Sequence, residues 1–174
     1  MDILVSSNLE RLIFSLSGDN DEITAAYMES LSKTGRYTVT PQIKREMDQL
    51  FWADYCSDEK TKKLIYATYR KYGYLIDPHT AVAFDVLNHY RHDTGDNTPA
   101  IVVSTASPYK FADSVLDALG QRGQEQGLAL IDQLSAATGT APPKPLLELK
   151  GKLGRFDRVI YKEEMPKAVW EFLK

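Results

Sequence analysis

Apolar residues in this chain recur mostly three and four positions apart, the spacing that lays them on one face of a helix. Between Ser7 and Leu16, Leu9, Leu12, Ile13 and Leu16 share a side; Ser6 or Ser7 can accept hydrogen bonds at the start, and Gly18 stops the run. From Asp21 to Lys33, Ile23, Ala26, Tyr27 and Leu31 keep the spacing, acids open the first turn where the helix dipole favours them, and Gly35 closes it. Thr40-Pro41 pairs a cap with a first-turn proline and opens a helix to about Phe51. Ser57-Asp58-Glu59 caps another to Tyr72, with Leu64, Ile65, Thr68 and Tyr69 as its stripe and Gly73 as its end. Asp77-Pro78 opens the clearest helix, to Tyr90, whose inward face is Ala81, Val82, Asp85 or Val86, and His89 or Tyr90.

After Gly95 the period changes. Ala100-Ile-Val-Val103 is apolar on both faces, as a strand inside a sheet would be, and it runs into the hydroxyls Ser104 and Thr105. A proline-containing turn and a helix from Phe111 to Leu119 follow. Gly120 to Gly127 is polar and breaks the pattern, and Leu128 to Ala137 is helical again. Ala141-Pro-Pro-Lys-Pro145 reads as a stiff, non-helical linker, Arg158 to Tyr161 as a possible strand, and Glu163 to Leu173 as a closing helix. The expected division is therefore a main body, 1–140, and a proline-rich linker with a tail packed on it, 141–174. About eight helices accompany one or two strands. A strand buried on both faces needs neighbours. Either further strands are disguised, or the partners of Ala100–Val103 lie on other polypeptide.

Composition narrows the class. A chain of 174 residues fits one domain or a large piece of one. A net charge of −3 without a basic run argues against nucleic acid as a partner. No apolar stretch is long enough to span a bilayer, and the first residues have neither a basic region nor a cleavage site, so the expectation is a cytoplasmic protein without a signal peptide. Cys56 is the single cysteine, which excludes an internal disulfide; a small core residue is its default role.

Metal-binding spacings and a glycine-rich phosphate loop are absent, so no metal is expected. His89 and His92 fall late in a helix and read as structural or solvated. His79 lies in a first turn, where free N–H groups suit an anion, or it is an ordinary N-terminal residue. Ser104 and Thr105 sit where a strand ends, the edge at which open α/β sheets bind ligands. They can serve a ligand there, or cap the next helix and satisfy turn backbone. Lys110 is the one lysine beside that loop.

Ser104-Thr-Ala-Ser-Pro-Tyr-Lys-Phe111 resembles the Ser-Thr-Ala-x-x-x-Lys-Phe segment near the C-terminus of threonine synthases. Asp77-Pro-His-Thr-Ala-Val-Ala83 resembles that family's Asp-Pro-His-Thr-Ala-Val segment, and Met1 to Arg11 and Phe51 to Thr61 are similar to internal segments in the same order. The similarity reaches about Leu119 and thins through the tail. It implies the helix-rich C-terminal portion of an α/β, type II pyridoxal-phosphate fold, with few strands of its own. The parent activity it implies is a carbon–oxygen lyase of threonine biosynthesis, which converts O-phosphohomoserine and water to threonine and phosphate. The family's cofactor lysine and phosphate loop lie upstream of the matched part. The resemblance thus implies a chain that is inactive alone, carries no catalytic residue of its own and does not hold the cofactor by itself. By the same resemblance Thr105 is the hydroxyl that meets the cofactor's ring nitrogen, Ser104 lines the same loop, and Lys110 and His79 are candidates on the substrate side. The partner implied is the N-terminal portion of the enzyme, or a second copy through self-association. Rival readings are a complementation subunit of a split enzyme and a non-catalytic interaction or small-molecule-binding module.

Overall fold

The structure, a computed structural model, describes residues 5–121, 125–154 and 158–173. Contacts divide the chain into two units, 1–122 and 123–174.

The first unit is built from capped helices. α1 (Ser7–Leu16) starts at Ser6, whose hydroxyl accepts the Leu9 N–H at 3.3 Å. α2 (Asp21–Thr34) starts at Asn20, which accepts from Ile23 at 2.9 Å, and ends at Gly35 in the left-handed region. α3 (Pro41–Leu50) is capped by Thr40, and α4 (Asp58–Tyr72) by Ser57. α5 (Pro78–Thr94) is capped by Asp77 and closed by Gly95, and its last residue lies four beyond Tyr90, the end that the apolar pattern set. A 3-10 turn, Pro108–Phe111, precedes α6 (Ala112–Ala118); the helix expected from Phe111 thus begins one residue later, with the proline turn before it. α1 packs on α2 and α3, and α4 packs on α5 and α6. Ile13 and Ile43 are buried in the first group, and Ile65, Ala81, Val115 and Leu116 in the second. Each of the isoleucine, valine and leucine side chains so withdrawn from water contributes about 1.5–3 kcal/mol. Trp52 packs edge-on against Tyr90, which brings the segment after α3 onto α5.

No strand forms among the described residues. Residues 95–105 leave α5 in irregular conformation, and Ile101 and Val103 are 91% and 69% exposed. The expectation of a strand inside a sheet is corrected to an unpaired segment. Its composition favours β structure, but a ladder needs a second strand to take its N–H and C=O groups.

The second unit holds α7 (Ala129–Thr138), α8 (Lys144–Leu147) and α9 (Met165–Phe172), with a 3-10 turn at Lys162–Glu164. Ile131 and Leu134 are buried in it. Two expectations are corrected here. Ala141–Pro145 is not wholly non-helical: α8 begins at Lys144 and carries Pro145 in its first turn, where a missing N–H costs nothing. Arg158–Tyr161 forms no strand; Arg158 pairs with Glu171 at 2.5 Å beside an apolar groove lined by Ile160, Met165, Val169 and Phe172. The polar break at Gly120–Gly127 and the segment Met1–Arg11 lie partly outside the described residues. None of the described helices is long and apolar enough to cross a membrane.

Candidate functional site

Asp77 has no exposed surface, and its carboxylate organises the start of α5. Oδ1 accepts the N–H of His79 at 2.9 Å and that of Thr80 at 3.4 Å. Oδ2 accepts the Thr80 hydroxyl and lies 3.4 Å from the Ser104 hydroxyl. The Thr80 and Ser104 oxygens are 3.0 Å apart. The chain thus brings Asp77, Thr80 and Ser104 together although 27 residues separate the first from the last. Of the two readings of His79, an anion site in the first turn or an ordinary N-terminal residue, the first needs free N–H groups, and those of His79 and Thr80 are taken by Asp77. The His79 ring lies against Phe111, centroids 5.0 Å apart, a second tie between α5 and the loop that follows Ser104.

Ser107 accepts the Tyr109 N–H at 3.3 Å and opens the 3-10 turn, and Tyr109 is buried beneath it. Thr105, before this turn, and Lys110, within it, are both exposed. Of the four residues singled out from sequence, Ser104 and His79 contact neighbours across the chain, and Ser104, Thr105 and Lys110 are exposed.

A second polar cluster went unnoticed in the sequence. His89 Nδ1 lies 2.5 Å from Asp54, and Nε2 lies 2.5 Å from the Lys60 ammonium. Lysine can only donate, so Nε2 accepts and the ring proton sits on Nδ1, facing Asp54. Lys60 also pairs with buried Asp85 at 3.0 Å. The hydrogen bond from His89 holds the Asp54 carboxyl below its ordinary range. Burial pushes the Cys56 thiol up, and neighbouring Asp85 adds to the shift, so the thiol is not activated as a nucleophile. His92 is exposed beside Asp93. The i, i+4 spacing of Asp85 and His89 was the one sequence signal for this cluster. Among the described residues no group of three or more His, Cys, Asp or Glu side chains is placed to hold a metal ion.

Thr80 and Ser104 lie within the part of the chain that matches a known family, and Asp77 lies just before it. Residues 80–169 match the family model described as threonine synthase, C-terminal. The match runs through much of the tail, further than the motifs ending near Leu119 implied. The chain belongs to the threonine synthase family, by its C-terminal part. It is 38% identical over 115 residues to the threonine synthase of Pseudomonas aeruginosa, which covers 66% of this chain and 24% of that one. The crystal structure of PLP-bound threonine synthase from Brucella melitensis superposes with a TM-score of 0.60 at 32% identity, over 78% of this chain and 28% of that one. Yeast threonine synthase superposes with a TM-score of 0.70 at 26% identity, over 99% of this chain and 35% of that one. The chain spans a quarter or less of the length of the first curated relatives it matches.

Proposed function

We propose that this chain supplies the C-terminal part of a pyridoxal-phosphate-dependent threonine synthase and works only when joined to the N-terminal part. The observation that carries the reading is the unpaired apolar segment 100–103, which delivers Ser104 and Thr105 at its end. An extended segment with Ile101 almost fully exposed lacks the neighbours that its composition calls for. The N-terminal part of the family's fold would supply both those neighbours and the cofactor lysine.

The residues present fit part of a pyridoxal-phosphate site. Thr105 offers an exposed neutral hydroxyl, suited to a ring nitrogen that must not be forced to stay protonated, as a carboxylate partner would force it. When bound, the cofactor supplies the electron sink for loss of phosphate from O-phosphohomoserine and addition of water. Within this chain, Thr105 orients the ring, Ser104 keeps the loop in place, and the exposed Lys110 ammonium suits the substrate's phosphate. His79, lying against Phe111, forms a wall of the same region.

The test is a chimera in which this chain replaces the C-terminal part of the Pseudomonas aeruginosa enzyme. Thr105→Val keeps shape and removes a hydroxyl; the loss of about 1–3 kcal/mol predicts roughly 5- to 150-fold slower phosphate release and a shifted cofactor absorption band. Ser104→Ala should do less. Full turnover with an unshifted band in Thr105→Val would contradict the assignment.

A further inference from the structure

A helix cap requires one carboxylate oxygen, and Asp77 uses Oδ1 for it. Oδ2 remains, fully buried, and a buried carboxylate oxygen is costly unless it is met by donors. Those donors come from Thr80 in the first turn of α5 and from Ser104, beyond the end of that helix. Two hydroxyls share one charged oxygen, and the proton bookkeeping is restrictive. Hydrogen bonds to a charged acceptor are the stronger ones, so the Thr80 proton goes to Oδ2. The Ser104 proton then has Thr80 Oγ1 at 3.0 Å and Asp77 Oδ2 at 3.4 Å to point to, or the loop's own Ala106 carbonyl at 3.4 Å. Each of these directions is toward the chain itself. Ser104 is an exposed residue, yet its proton has these acceptors within the chain to engage it.

We propose that Asp77 is a positioning residue: together with Thr80 it anchors the Ser104 loop to the start of α5 and turns the Ser104 proton inward, so that Thr105 is the hydroxyl of this loop free to donate to a bound ligand. The anchoring stands on the hydrogen bonds alone. Only the identity of the ligand that Thr105 meets rests on the proposed function. Thr80 is buried, and Thr80→Val keeps its volume and leaves the Asp77 cap intact while removing the shorter of the two contacts that hold Ser104, the 3.0 Å one, and leaving the 3.4 Å one to Asp77 Oδ2.

The experiment measures backbone order parameters by NMR on the 174-residue chain, with Ser104→Ala as a second variant that leaves α5 untouched. Residues 104–106 are expected near the rigid value of about 0.85 in the parent and below about 0.6 in both variants, with α5 unchanged. Unaltered order in both variants, or equal loosening of α5, would overturn the anchoring. In the chimera, Asp77→Asn places an amide donor among these groups and is expected to shift the cofactor band at unchanged KM. A band unmoved by Asp77→Asn but moved by Thr105→Val would overturn the positioning role and leave the proposed function standing. A band unmoved by Thr105→Val would overturn the proposed function and leave the anchoring to the NMR result.

Discussion

Helix α5 and the segment that follows it are both rich in apolar residues, yet they end in opposite states. Ala81 is fully buried and Asp85 nearly so, whereas Ile101 and Val103 face outward. The difference lies in the backbone. A helix satisfies its own N–H and C=O groups, so a capped stretch such as Asp77 to Gly95 needs only a packing face. An extended segment satisfies none of them without a second strand. Among the described residues the segment has strand composition without a strand partner, which is the feature the proposed docking on an N-terminal part rests on, and the loop it leads into carries Ser104 and Thr105.

The sharpest way to break this comparison is to charge the segment. Ile101→Asp with Val103→Asp should leave the isolated chain folded, because neither side chain is buried there. Association with a separately produced N-terminal part should fall by at least about 100-fold, since burying two such side chains contributes about 3–6 kcal/mol. Titration calorimetry reads this, and unchanged affinity would mean that the segment is not the docking element. Ile65→Ala is the mirror experiment. Ile65 is fully buried in α4, and truncating it should cost about 2–5 kcal/mol of chain stability in urea. Thr40→Ala should cost about 1 kcal/mol through loss of the α3 cap, by the same measurement.

The smallest effect concerns the loop between the two regions. Hydrogen bonds from Thr98 and Tyr90 lower the Asp96 carboxyl to about 2. A carboxyl held down in the folded chain stabilises it above the unfolded value of about 3.9, and that contribution is lost as pH falls toward the folded one. The Thr98 amide, 2.8 Å from Asp96, should therefore keep its NMR shift down to about pH 3 and move near pH 2. A midpoint near 4 would remove Asp96 as an organiser of this loop.

Much of the helical framework was legible, because caps and stops are local. Ser57, Thr40-Pro41 and Asp77-Pro78 announce helix starts within three residues, and Gly35, Gly73 and Gly95 end helices in the left-handed region that glycine adopts freely. The misreadings came where a rule was applied without its position. Pro145 reads as a breaker by residue type, but it occupies a first turn. The hydrophobic runs 100–103 and 158–161 have strand composition, but pairing depends on partners that no local pattern reveals. The site was half legible. Ser104 and Thr105 stood out as hydroxyls closing an apolar run. That Asp77 reaches Ser104 was not readable, since periodicity carries no information about contacts 27 residues apart. His89 with Asp54 and Lys60 escaped for the same reason.

The proposed function stands or falls on whether this chain supports threonine synthesis only when joined to an N-terminal part. The direct measurement is phosphate release from O-phosphohomoserine, with pyridoxal phosphate present, by the chain alone and by the Pseudomonas aeruginosa chimera that carries it. No release is expected from the chain, and turnover is expected from the chimera. Turnover by the chain alone, or a folded chimera that binds cofactor and releases no phosphate, would contradict it.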